Sequence, residues 1–444
     1  MKRTIPLTVL AAVLGLVPVA VRGQDAPDTA TDGADMASKW KTGDGGYWDF
    51  MMGELEKIGQ LDPYGVTGQL PPGYLSVKWD WGTIRASSRY NNKRELGPVM
   101  PPIEMGDPKQ ISIDMGLEGY GGGHTFQMSY GITGMLDWYI EVPFTYMNVE
   151  FNPDPQVIDD KGNKVDPVLA KMLGVSDPKE YSGCDFNNGT LPMLGRPPVA
   201  TEYHASWLLG DINTGFSWNV YRTPRYSIGL TPRVFFPTGH TPHPNRNLLY
   251  GTGPELETGI GGWAVGFTQG SDLRIFKYSW WLDIIASSEF STSYAFAQDR
   301  EYPTNFPKPS AAATALDAQA FPDLSHLSGT FEYLPGWSVD WTAQLQFSLA
   351  NLGLGVGYGV SYGQEPELKA DPAFVSMVEG LQLLGATSVE MVQLGAMLSL
   401  LPLVPAQLSF QYKKVVDGYN AIVFDDFYQI TVKGYIPLFL LWED

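Results

Sequence analysis

Along residues 126–151 (FQMSYGITGMLDWYIEVPFTYMNVEF), apolar and polar positions alternate with a period of two. Phe126, Met128 and Tyr130 alternate with Gln127 and Ser129. Past a Gly-bearing turn at 131–135, Leu136, Trp138, Ile140, Val142, Phe144 and Tyr146 alternate with Asp137, Tyr139, Glu141 and Thr145. Successive side chains of a strand point to opposite faces, so this pattern predicts a β-hairpin with one apolar, aromatic face and one polar face. The second strand exceeds the usual soluble length of about 5–6 residues.

The same period recurs along the chain. Leu75, Val77, Trp79 and Trp81 share a face. A further run from Ile111 reverses parity at Gly121-Gly122-Gly123, which predicts either one strand with a glycine bulge or two strands with a tight turn. Leu208, Ile212, Phe216, Trp218 and Val220 oppose Asp211, Asn213, Ser217, Asn219 and Tyr221. After a turn at 223–225, Pro232 interrupts the next run and predicts a bulge or bend there. A turn is predicted at 269–272. Later strands follow at 338–349, 354–362, 389–401, 405–416 and 424–436. Short helices are predicted at 47–61, 167–173 and 373–384.

Short turns (131–135, 223–225, 269–272, 350–353, 401–405) alternate with long connections (91–109, 152–205, 237–253, 294–328, 364–387), and the last connection, 417–423, is intermediate. An even strand count with short turns at one end and long loops at the other is the plan of an outer-membrane barrel. The expectation is an all-β fold, a transmembrane antiparallel up-and-down β-barrel of about 12 strands (alternatively 14). Its long extracellular loops would carry short helices.

Composition agrees. Gly accounts for 49 of 444 residues, aromatics for 13% and charged residues for only 17%, which suits a chain facing both lipid and water. Lys2 and Arg3 precede an apolar run from Ile5 to Ala20, so residues 1–23 read as a cleaved signal peptide of Gram-negative export. No later run reaches the roughly 20 apolar residues of a membrane helix, leaving a barrel as the means of spanning. Residues 24–73 read as an N-terminal periplasmic segment or plug, and 74–444 as the barrel. The chain ends Trp442-Glu443-Asp444, a departure from barrels that end on an aromatic residue. The formal charge of −19 argues against nucleic acid as a partner. The lone Cys184 excludes an intramolecular disulfide framework.

Candidate chemistry is sparse. Gly359-Val360-Ser361-Tyr362-Gly363 matches GxSxG, but that motif needs a strand-to-helix turn and here lies in an alternating strand. Five histidines show no zinc spacing; His240 and His243 share a Pro-rich loop, and residues 159–163 are oxygen-rich without EF-hand spacing. No enzyme, metal or cofactor is expected. A lipid hydrolase acting through Ser361 and a structural or surface-binding barrel acting through its loops are the alternatives to a transporter. The inward-facing candidates are Asp137, Glu141, Asp211, Asn213, Arg233, Lys277, Asp283, Asp340, Gln344 and Gln346. They either fill a narrow lumen or line a pathway.

Several segments also resemble a known family. SYGITGMLDWYIEVPF (129–144), LLGDINTGFSWNVYR (208–222), PRVFFPTGH (232–240) and YGTGPELETGIG (250–261) resemble motifs of a bacterial outer-membrane family named for the MetA pathway of phenol degradation. The residues that carry the resemblance are Gly131, Pro143, Gly210, Asp211, Pro237, Thr238 and Gly239; His240 departs from the family's usual acid. The resemblance covers mainly 124–268. It implies a passive outer-membrane transporter for small hydrophobic or aromatic compounds, similar at a distance to the long-chain fatty-acid channels, although their Asn-Pro-Ala plug motif is absent. The partners it implies are outer-membrane lipid, the barrel-assembly machinery and a small hydrophobic ligand.

Overall fold

The computed structural model describes residues 66–100, 103–105, 111–114, 116–152, 154–157, 186–278, 282–316, 321–349, 351–381, 385–400 and 406–437. Twelve antiparallel strands close into a barrel. They are β1 (Tyr74–Tyr90), β2 (Leu117–Thr133), β3 (Leu136–Phe151), β4 (Asn213–Arg222), β5 (Tyr226–Phe235), β6 (Ala264–Tyr278), β7 (Leu282–Ala295), β8 (Gly336–Leu349), β9 (Leu352–Gly363), β10 (Thr387–Ser399), β11 (Ala406–Tyr419) and β12 (Ala421–Pro437). Each pairs with its sequence neighbours, and β1 closes the ring on β12, with Trp79 opposite both Val432 and Phe126. Closure satisfies the backbone groups that an open edge would expose.

The alternation sorts the faces as the sequence predicts. Outward positions carry large exposed apolar side chains, among them Trp218 (51% exposed) and Leu354 (48%), spread over every strand neighbourhood. So broad an apolar surface fits lipid, not water. Among the described residues no helix is long and apolar enough to cross a membrane; the strands do so.

Four local expectations are corrected. First, β2 pairs without a register shift from Gly119 to Tyr130, so the glycine run holds no bulge. The parity change arises because Ile111–Asp114 belongs to a separate small sheet with Ile103–Met105 and Asp154–Val157. Second, 269–272 is not a turn: β6 runs straight through it, and the connection falls at 279–281, outside the described residues. Third, Pro232 sits in register with Phe267; the irregularity lies between Ile228 and Gly229, opposite Val220. That bulge turns Tyr221 outward, where it is exposed. Fourth, 417–423 is no loop, because β11 and β12 are separated by Asn420 alone. The strand count is 12 despite these shifts. The predicted helices at 47–61 and 167–173 lie outside the described residues; the third is Pro372–Gly380, capped by the Asp371 carboxylate on Ala373 N–H at 2.9 Å.

The long-loop end carries its own apolar cores. One gathers Val99, Phe151, Phe186, Leu191, Leu194 and Phe321 among others. The second packs Phe374, Phe331, Tyr250, Leu324 and Val378 between the loop strands Gln298–Glu301, Thr330–Leu334, Glu367–Lys369 and the Pro372–Gly380 helix. Here Arg300 pairs with Glu257 and stacks 4.3 Å from the Tyr333 ring. Burial pushes the Tyr333 hydroxyl up to about 12, against the pull of Arg300.

Candidate functional site

Inward side chains meet a stretch of chain that precedes the first strand. Residues 66–73, a strap, lie along the inner wall at the short-turn end. The Asp272 carboxylate of β6 holds it, accepting the N–H of Val66 (3.0 Å), the N–H of Thr67 (2.8 Å), the Thr67 hydroxyl (2.5 Å) and the Ser287 hydroxyl (2.6 Å). Gln69 Nε2 donates to the Ser217 carbonyl at 3.0 Å, and Leu70 N–H to Asp137 Oδ2 at 3.0 Å. The strap leaves through Gly73, whose N–H donates to the Gly131 carbonyl at 2.9 Å. A Cβ at Gly131 would overlap the Pro71 carbonyl, so the strap needs glycine there.

Strap and wall enclose a cavity of about 320 Å³. Asp137, Glu141, Arg233, Glu289 and Lys433 bring five ionisable groups to its lining. Glu141 accepts from Asn213 Nδ2 at 3.1 Å; Arg233 donates to the Ser291 hydroxyl at 2.6 Å and lies 5.0 Å from the Phe235 ring. Lys433 stands 5.1 Å from the Tyr435 ring. None of the five forms an ion pair with another described side chain, unlike Lys78 and Asp80, which pair at 2.7 Å.

A second cavity of about 230 Å³ lies on the opposite wall. Its floor is glycine, Gly353, Gly355 and Gly357 of β9, and its rim holds Gln344, Gln346, Gln393 and Gln411. Gln411 Nε2 donates to Gln393 Oε1 at 3.0 Å.

The inward candidates therefore separate. Asp137, Glu141, Asn213 and Arg233 share the first cavity; Gln344 and Gln346 line the second. Asp340 accepts from Ser361, and Asp283 accepts two bonds from Arg274 Nε (3.0 and 3.1 Å). Lys277 is exposed beside the 279–281 connection. Asp211 lies in the break between Glu202–Leu209 and β4, outside both cavity linings, with Gly239 N–H on Oδ1 at 2.8 Å and Ile260 N–H on Oδ2. The other residues carrying the family resemblance gather around it. Gly210 N–H donates to the Pro143 carbonyl (2.8 Å), the Thr238 hydroxyl to the Gly210 carbonyl (3.0 Å), and a Cβ on Gly239 would come within 2.8 Å of Asp211. Pro237 is exposed beside them, while Gly131 is separate, beneath the strap. The knot pins loop to strand rather than lining the lumen. Sequence reasoning missed Asp272, Glu289 and Lys433 as site residues. Lys433 stood in plain alternation with Ile430 and Val432, but Asp272 was hidden by the misplaced turn.

Ser361 lies within a continuous ladder on β9, not on a strand-to-helix turn. His243 Nδ1 accepts the Asn245 N–H at 3.2 Å as a helix cap. Among the described residues no group of three or more His, Cys, Asp or Glu side chains is placed to hold a metal ion. Residues 159–163 and Cys184 lie outside the described residues.

No family model matches the chain, and no curated protein matches it at a significant level. Solved structures do show a likeness. An outer membrane channel from Pseudomonas putida F1 is 10% identical, with a TM-score of 0.47 over 84% of this chain and 98% of that one. The toluene transporter TbuX of Ralstonia pickettii is 9% identical, with a TM-score of 0.31 over 87% and 92%. The CymD monoaromatic hydrocarbon channel is 11% identical, with a TM-score of 0.28 over 87% and 91%.

Proposed function

We propose that the chain is a passive channel of the Gram-negative outer membrane, exported by residues 1–23, with its short turns in the periplasm and its long loops outside. The observation that carries this reading is a closed barrel, apolar outside, whose interior keeps two cavities, one polar and one mixed, instead of a packed core. Residues 66–73 are the inner end of a plug that narrows the path, and the assembly machinery and outer-membrane lipid are its partners. The finer reading taken from the family resemblance is a hydrophobic or aromatic cargo. The lining of the first cavity carries carboxylates, amides and hydroxyls, which favour molecules able to hydrogen-bond; the second mixes amides with apolar side chains such as Met397, which suit an apolar group.

Reconstitution into liposomes tests both levels. Uptake of arabinose faster than with an inactive control barrel supports a channel; parity with the control removes it. Uptake of toluene above that of arabinose supports the hydrophobic cargo. The loop cores favour a second reading, a barrel acting through its outer surface. Deleting the Pro372–Gly380 helix without loss of surface binding would set that aside.

A further inference from the structure

The cavity beneath the strap has features that plain filling of the lumen does not require. Gln69 and Asp137, each only 5% exposed, both line it, and each has one oxygen, Oε1 and Oδ1, without a protein partner. The two side chains are neighbours: Gln69 is bonded to the carbonyl of Ser217, the residue that pairs with Asp137 across β3 and β4. Arg233, on the same lining, has a partnerless Nε that rests over Gly266 of β6. Leaving a buried polar atom unmatched is costly, and more so for a charged group. Acceptor groups on the strap and β3 and a guanidinium on β5 thus share one lining.

We propose that this cavity is a binding subsite for a small zwitterion, a molecule with a primary ammonium at one end and a carboxylate at the other. The inference deepens the channel reading and rests on it for the route by which the ligand arrives. The ammonium takes Asp137 and the Gln69 carbonyl as acceptors. The carboxylate takes the Arg233 guanidinium, with Lys433 on the same lining to balance it. A lone organic cation meets Arg233 and Lys433 as like charges; a lone anion meets Asp137, Glu141 and Glu289. A divalent metal is the wrong guest, because among the described residues no metal-type cluster of His, Cys, Asp or Glu forms. From Asp137 on β3 to Arg233 on β5 the wall spans two strand spacings, about 10 Å along the sheet. The side chains close part of that span, so the two charged ends of the ligand must lie several bonds apart. A cavity of about 320 Å³ holds a molecule of that size.

Calorimetric titration of the full chain in detergent, with γ-aminobutyrate, butylamine and butyrate as probes, tests the site. Saturable binding of γ-aminobutyrate, at least tenfold tighter than either singly charged probe, is expected. Asp137→Asn and Arg233→Gln are each expected to weaken it about tenfold, equivalent to about 1.4 kcal/mol. Since Asp137→Asn also touches the strap, Gln69→Leu provides an independent variant with the same expected direction. An altered gel mobility on heating confirms that each variant remains a closed barrel. Equal binding of the three probes, no saturable binding, or binding unmoved by Gln69→Leu and Arg233→Gln overturns the proposal. Uptake into liposomes is read separately. Arabinose uptake without γ-aminobutyrate binding leaves the channel standing and the subsite fallen, whereas binding without any uptake does the reverse.

Discussion

The two sides of the lumen manage inward-facing polarity with opposite materials. From β3 to β7 the wall carries Asp137, Glu141, Arg233, Asp272 and Glu289, and the strap lies over it. Toward the short-turn end of β8 to β11 the inward positions are mostly glycines, glutamines and serines, and no described segment covers them. A buried carboxylate needs donors, and the strap supplies them as backbone N–H groups at Val66, Thr67 and Leu70. Neutral groups cost less to leave uncovered: Gln411 donates to Gln393, while Gln407 Nε2 and Ser348 Oγ are buried without a partner among the described residues. Charge on one wall therefore brings an ordered segment with it; glycine on the other leaves space.

The sharpest way to break this contrast is to remove the strap's main acceptor. Asp272→Ala leaves the N–H groups of Val66 and Thr67 without their carboxylate. At about 1.5–3 kcal/mol per bond to a charged group, docking should weaken by at least about 3 kcal/mol. Hydrogen exchange at residues 66–70 reads the release; unchanged protection there would show that the strap does not depend on this wall. A smaller loss, about 1–3 kcal/mol from steric overlap, is expected for Gly131→Ala, which drives a methyl into the Pro71 carbonyl. Here the same exchange measurement should show partial release with β2 intact.

The opposite wall should respond without involving the strap. In Gly357→Ala the new Cβ comes within 2.7 Å of Gln393 Cγ and 3.0 Å of the Ala343 carbonyl. A cost of about 1–2 kcal/mol in thermal or denaturant unfolding is expected, with the exchange of residues 66–70 unmoved. Gln411→Leu removes one amide bond and should cost about 1 kcal/mol or less. A large effect of either change on the strap would merge the two walls into one network. The loop cores offer a reference outside both. Burial raises Tyr333 to about 12 from its ordinary 10. Its contribution to stability is full below pH 10 and fades as pH rises toward 12. Loosening of the cap in that alkaline window, followed by tyrosinate absorbance, should precede any opening of the barrel.

The faces of this barrel were legible because period-two alternation is local. Phe126, Met128, Trp218 and Leu354 look outward as their spacing predicts, and Asp137 and Glu141 look inward. What alternation misjudged was set by contacts from far along the chain. Gln269-Gly270-Ser271-Asp272 has the composition of a turn, yet Gly270 is small because Val66 and Thr67 rest on it, and Asp272 is acidic because Thr67 docks there. A side chain selected by a partner 205 residues away carries no local signature. The loop cores were illegible for a related reason: Phe186, Phe331 and Phe374 are buried by tertiary packing, with no periodicity to mark them.

The strap also keeps time. Residues 66–70 come before every strand of the barrel, yet their bonds run to Asp137, Ser217 and Asp272, on β3, β4 and β6. Those bonds cannot form until these three strands have met in register. The early segment must wait, unpaired, for a seat that later residues build. Its protection during assembly is then a clock: a protease that still cuts near Thr67 reports a barrel whose charged wall is unfinished, and the end of cleavage dates its completion.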